Sequence, residues 1–269
     1  MNKITVGIAL AFVIANLAAA AGEGERPIPS MGDSQRITPE EVRQSLLGVT
    51  FALIVKIDEG TLHATPELRD ALVTHLKDQD ADVRASAVWV LNHVVRTNHA
   101  LATAVLRDAL VPLLQDQVVN VRRSAVETLG EIVEANHALA TDRFRDALVP
   151  LLQDQVVNVR RRAAETLGEI VKANTALATE EVIDALLGFL PDEDFDVRRD
   201  AISVLSYVVR TNPASATAVL RDALVPLLQD PDYLIRTDAA WVLREIRVKR
   251  PNLIPTDIRS TIAGLIGDI

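Results

Sequence analysis

The chain has 269 residues, a formal net charge of −9, 3% aromatic residues and no cysteine. Lack of cysteine excludes disulfides, thiolate metal sites, cysteine nucleophiles and a lipid-bearing cysteine. The acidic balance disfavours nucleic-acid backbones and anionic membranes, and scarce aromatics beside abundant Ala, Leu and Val argue for helices over a β-sandwich or barrel.

The chain begins with Met-Asn-Lys and an apolar run from Ile4 to Ala21, ending in four alanines and Gly22. A positive start, an apolar middle and a small-residue exit predict a secretory signal peptide over residues 1–21, cleaved after Ala20 or Ala21. Retention as a membrane anchor is the alternative, since the run is near the lower length limit for a bilayer. The charged, Pro-containing residues 22–36 read as a flexible linker, and residues 37–269 as a single repeat array. Lys3 is the only charged residue in the leader, so its loss leaves a more acidic chain. The expected location is periplasmic or secreted, with delivery into a host as a minor alternative and no stable membrane insertion after cleavage.

Thr38-Pro39-Glu40-Glu41 has the form of a capping box and opens a predicted helix over Glu40 to Ile57. From there the chain repeats. Asp70, Asp108, Asp146, Asp184 and Asp222 are spaced by 38 residues, as are Leu91, Leu129, Leu167, Leu205 and Leu243, with no insertion across five repeats. Each repeat reads as two helices. Thr65, Thr103, Thr141, Thr179 and Thr217 stand where a hydroxyl can cap the first helix. In the second repeat that helix is predicted over Ala104 to Gln115, its buried face formed by Leu106, Ala109, Leu110, Leu113 and Leu114. A turn at Asp116-Gln117 leads into a longer helix over Val118 to Ala135, with Val121, Ala125, Val126, Leu129, Ile132 and Val133 as its stripe. One such hairpin is apolar on sides that only a stacked neighbour covers. After the fifth repeat, residues 257–267 are a lone first helix.

The turn aspartates Asp78, Asp116, Asp154, Asp192 and Asp230 recur, as do Arg84, Arg122, Arg160, Arg198 and Arg236, each Arg preceded by Val or, once, by Ile235. Pro112, Pro150 and Pro226 lie in first helices, where Thr74 and Gly188 stand in the other two repeats. This combination resembles HEAT repeats. Together with the predicted leader and the 38-residue period, the resemblance leads to the expectation of a bacterial, exported, all-α protein: an α–α superhelix (solenoid) of about twelve helices, with five full repeats and half-repeat caps. It also implies that the ten Asp and Arg residues form a structural ladder along the stack, and that second helices line a concave face.

Repeats 106–143 and 144–181 differ at only seven of 38 positions. Exposed positions have been copied with buried ones, so positions that differ between repeats are the better guide to function. On the outward arc of the second helices one position reads Trp89, Glu127, Glu165, Ser203 and Trp241, and another His93, Glu131, Glu169, Tyr207 and Glu245. Trp89, His93, Arg96, Glu127, Glu131, Glu165, Glu169, Tyr207 and Trp241 are therefore candidate partner-binding residues, because exposed aromatics are enriched in binding hot spots. The plainer alternatives are a Trp241 covered by C-terminal residues and a solvated glutamate face. No catalytic constellation, phosphate-binding loop or metal-ligand spacing is visible, so no catalytic residue, metal or cofactor is expected. The leading expectation is a non-catalytic scaffold for a partner protein. The alternative is a HEAT-like lyase or cofactor-handling accessory protein, since some bacterial HEAT-like proteins attach bilin chromophores.

Overall fold

A computed structural model describes residues 50, 54–60 and 62–267. The predicted signal peptide, linker and capping box lie outside the described residues, as does most of the helix predicted over Glu40 to Ile57. Among the described residues the chain is helical and contains no strand. It divides into two compact units, one ending at Asn136 and one beginning at His137.

In the N-terminal unit, helical residues 54–58 end in a turn where Gly60 adopts φ 71°. Then come α1 (Pro66–Thr74), α2 (Ala81–Thr97), α3 (Ala104–Leu110) and α4 (Val119–Ala135). The C-terminal unit contains α5 (Asp142–Leu148), α6 (Val157–Ala173), α7 (Glu180–Leu187), α8 (Phe195–Thr211), α9 (Ala218–Leu224), α10 (Tyr233–Lys249) and α11 (Thr256–Ile266). The five second helices α2, α4, α6, α8 and α10 are each 17 residues long. In the N-terminal unit α2 packs on α4; in the C-terminal unit α8 packs between α6 and α10, and α11 covers α10. The stripe Val121, Ala125, Val126, Leu129, Ile132 and Val133 is fully buried.

The first helices are shorter than the sequence predicts. In the second repeat the α-helix stops at Leu110 and Val111–Gln115 continue as a 3₁₀ helix. Pro112 has no N–H to donate to the carbonyl four residues back, which ends the α-helical ladder there; Pro150 and Pro226 sit in the same 3₁₀ segments of their repeats. Where Thr74 replaces the proline, the α-helix runs to Thr74 itself. Val118 is an N-cap, so α4 starts one residue later than predicted. Three of the recurring threonines cap their helices: the N–H groups of Leu68, Leu106 and Leu220 donate to Thr65, Thr103 and Thr217 at 3.2–3.3 Å. Thr141 and Thr179 make no such bond, and α5 and α7 carry acidic residues in the first turn instead.

An Arg–Asp bridge joins successive turns inside each unit. Arg84 donates through Nε and Nη2 to both carboxylate oxygens of Asp116, at 2.7 and 2.9 Å. The corresponding distances are 3.0 and 3.2 Å for Arg160 on Asp192; Arg198 donates to Asp230 through Nη2 at 3.2 Å, its Nε lying 3.1 Å from the other oxygen as an ion pair without a hydrogen bond. Nη1 of each arginine turns back to the carbonyl of its own repeat's turn aspartate: Asp78, Asp116, Asp154, Asp192 and Asp230 accept from Arg84, Arg122, Arg160, Arg198 and Arg236 at 2.7–3.1 Å. The aspartate carboxylate also accepts the N–H two residues on, as Asp116 does from Val118 at 2.9 Å. With Arg84 and Asp116 side chains 15% and 8% exposed, these groups have little water to fall back on.

Burial alone would raise the carboxyl pKa of Asp116, but the Arg84 guanidinium and the Val118 N–H hold it below the usual carboxylate range. A carboxyl whose pKa is lowered by folding adds stability above its unfolded pKa and loses it as pH falls through the folded value. The stability gap between wild type and Asp116→Asn is therefore largest at neutral pH and closes below about pH 4, as urea titrations across pH will show. Close packing makes a second prediction. A Cβ on Gly168 in α6 would lie 2.9 Å from Val204 Cγ2 in α8, whereas nothing lies within 4 Å of one on Gly264 in α11. Gly168→Ala should destabilise by about 1–3 kcal/mol through overpacking, while Gly264→Ala should stabilise by roughly 0.5–1 kcal/mol through helix propensity. Thermal melts of the two variants should move in opposite directions.

Candidate partner-binding face

The outward arc of the second helices is built by the period of the helix. Positions opposite the buried stripe carry the side chains that differ between repeats. On α2, Trp89 is 46% exposed and meets the His93 ring edge-on at a centroid distance of 6.3 Å. His93 Nδ1 lies 3.1 Å from Asp58 Oδ1, which fixes the imidazole at the base of the tryptophan. Arg96 is exposed one turn beyond His93. Glu127 and Glu131 are half-buried on α4.

In the C-terminal unit the predicted glutamates are engaged within their own helix. Arg162 donates to Glu165 at 2.8 Å and Lys172 to Glu169 at 2.7 Å, both three residues apart on α6. Such exposed pairs contribute little energy, but they neutralise the face that the sequence presents as an acidic patch. Trp241 on α10 is 41% exposed, with Leu234 and Val248 also exposed on the same helix. The Arg244 guanidinium sits 5.2 Å from the Trp241 ring centroid, within the range of a cation–π contact. Tyr207 on α8 is half-buried and donates its hydroxyl to the Lys172 carbonyl at 3.4 Å.

Tyr207 and Trp241 line one open groove of about 550 Å³ along α6, α8 and α10. Its other walls include Lys172, Arg199, Asp200, Arg210 and Asp238, none of which the sequence reading had singled out for binding. A signal for them exists in the repeat. The position of Asp200 reads Ser86, Ser124, Arg162, Asp200 and Asp238, and that of Arg210 reads Arg96, Glu134, Lys172, Arg210 and Val248. Both positions lie on the outward arc and change chemistry from repeat to repeat. Arg199 Nε is 3.4 Å from Asp238 Oδ2 across the groove.

Asp200 is the unusual group. Its Oδ2 is shut from solvent without a hydrogen-bond partner among the described residues. Burial, reinforced by the negative charges of Glu165 and Asp196, outweighs Arg161 and Arg199 and pushes its carboxyl up to about 6. Among the described residues no cluster of three or more His, Asp or Glu side chains is arranged to hold a metal ion. Nor is any helix there long and apolar enough to cross a membrane.

Paired helices, stacked repeat on repeat within each unit, define an all-α helical-repeat protein. Residues 108–206 match the sequence profile of HEAT repeats, and no curated protein matches the chain. Among solved structures it is similar to computationally designed armadillo repeat proteins for modular peptide recognition, with 18% identity, 77% of this chain and 93% of that chain covered, and a TM-score of 0.63. It is also similar to a designed armadillo repeat protein in complex with the peptide (KR)4, with 19% identity, coverage of 77% and 91%, and a TM-score of 0.55. The archaeal HEAT-like repeats protein from Thermococcus onnurineus NA1 matches with 16% identity, coverage of 86% and 97%, and a TM-score of 0.53. At these identities the likeness is one of fold, the solenoid class built from helical hairpins.

The Asp200 carboxyl gives this face a pH signature. Its pKa is raised by folding, so the folded chain holds a proton that the unfolded chain releases between about pH 4 and 6. Stability then falls as pH rises through that window and stays lower above it. Asp200→Asn should raise Tm by on the order of a few degrees at pH 7.5 and give no gain below about pH 4, as melts at the two pH values will show.

Proposed function

We propose that this chain is a non-catalytic interaction scaffold that binds a partner protein on the face of its second helices, the face that the HEAT resemblance makes concave. One observation carries the reading: each unit presents a tryptophan on that face, Trp89 at 46% and Trp241 at 41% exposure, where a soluble helix would ordinarily place a polar residue. The neighbours' printed descriptions support it, since the designed armadillo proteins are described as serving peptide recognition, and one is in complex with (KR)4. The net charge of −9 favours a partner segment that brings positive charge. The reading includes export to the periplasm or beyond, which the apolar run Ile4 to Ala21 with its alanine exit supports.

The test is a pull-down from native extract, wild type against Trp89→Ala with Trp241→Ala, after circular dichroism has verified equal helicity. A partner recovered with wild type and reduced at least about tenfold with the variant, the loss of a hot-spot contact, supports the reading. Equal recovery by both removes the tryptophans from the interface, and no partner at all contradicts the scaffold. N-terminal sequencing of the exported chain should begin at Ala21 or Gly22; an unprocessed chain in the cytoplasm would contradict export.

A further inference from the structure

The groove of the C-terminal unit is polarised. Helices α6, α8 and α10 share one 38-residue register, so residues 38 apart occupy equivalent heights on their helices. Asp200 and Asp238 share one such position; Lys172 and Arg210 share another, ten residues further along. On an α-helix ten residues span about 15 Å. Carboxylates therefore mark one end of the groove and cations the other, with Tyr207 and Trp241 between them.

Two of these four charges are already matched. Asp238 faces Arg199, and Lys172 is held by Glu169. Asp200 and Arg210 are different, since neither has an ion pair or a side-chain hydrogen bond among the described residues. Asp200 is faced by Glu165 and Arg161 from α6, by Asp196 and Arg199 on its own helix, and by Asp238 across the groove. Each of those neighbouring carboxylates has an arginine of its own, Glu165 with Arg162, Asp196 with Arg161 and Asp238 with Arg199, so Asp200 is the carboxylate left over. A buried carboxyl in such surroundings gains when an external cation enters, because that cation supplies the pairing the fold withholds.

We propose that this groove holds an extended stretch of partner polypeptide that sets a lysine or arginine against Asp200 and an acidic side chain against Arg210. At about 3.3 Å per residue, 15 Å corresponds to four or five residues, with the backbone between them crossing Tyr207 and Trp241. A single amino acid is too short to reach both charges. An α-helix needs about ten residues to cover the same 15 Å. The extended segment is the occupant that spans the two charges with the shortest stretch of chain and leaves its backbone open to the groove. The assignment rests on the scaffold reading and supplies its recognition code in the C-terminal unit.

Fluorescence anisotropy with labelled synthetic peptides on the full chain tests it. The probe carries Arg first and Glu fifth, separated by Ser-Ala-Val; controls have Arg and Glu adjacent, two Glu, or two Arg. The spaced Arg/Glu probe is expected to bind at least about tenfold more tightly than the adjacent or two-Glu controls. Asp200→Asn and Arg210→Ala should each weaken it at least about fivefold. Arg210→Glu should shift preference to the two-Arg probe, a gain that a misfolded variant would not show. Wild-type binding should weaken as pH falls from 7.5 to 5, and Asp200→Asn should lose that dependence. Binding insensitive to spacing or to both variants, or no binding of the spaced probe, overturns the groove assignment. If a partner is still captured through Trp89 and Trp241, the scaffold reading survives that failure; if capture fails too, both fall.

Discussion

A guanidinium shared between two turns sets the geometry on which each unit depends. Arg198 lends Nη1 to the Asp192 carbonyl of its own turn and Nη2 to the carboxylate of Asp230 in the next, with Nε beside the second carboxylate oxygen as an ion pair. Asp230 in turn accepts the N–H of Asp232. Five donors in a rigid plane make arginine suited to this double task. The same arrangement holds Arg84 to Asp116 in the N-terminal unit and Arg160 to Asp192 in the C-terminal one. Apolar burial drives the helices together without direction; the bridge fixes which turn meets which, and so the height of every side chain on the outward arc.

That fixed height turns repeat-to-repeat differences into a pattern on a surface. Because Asp200 and Asp238 are equivalent, as are Lys172 and Arg210, substitutions at two repeat positions suffice to give a groove with opposite ends. The buried positions have no such freedom. Ala87, Ala125, Ala163, Ala201 and Ala239 are all fully buried, and at Gly168 even one methyl would collide with Val204. Function in this architecture is written where packing is indifferent.

Much of the fold is legible in the sequence because local period and long-range repeat agree: the stripe from Val121 to Val133 predicts both α4 and its buried face. Pro112 is where local reading fails, since an apolar period continues through a proline that the hydrogen-bond ladder cannot. The candidate face was only half legible. Trp89, Tyr207 and Trp241 announce themselves by rarity, but Asp200 and Arg210 look like ordinary surface charges until neighbouring helices show that neither is paired. The glutamates need the structure for their pairing: Arg162 and Lys172, each one turn away, hold Glu165 and Glu169.

The central claim is that the Arg–Asp bridge holds adjacent second helices in the register that creates the groove. A double-mutant cycle on Arg198→Ala and Asp230→Ala, measured by urea unfolding at pH 7, tests it most directly. The account predicts that the two losses are strongly non-additive, with a coupling of at least about 1 kcal/mol. Additive losses would show that the two side chains act independently, and the register would then need another cause.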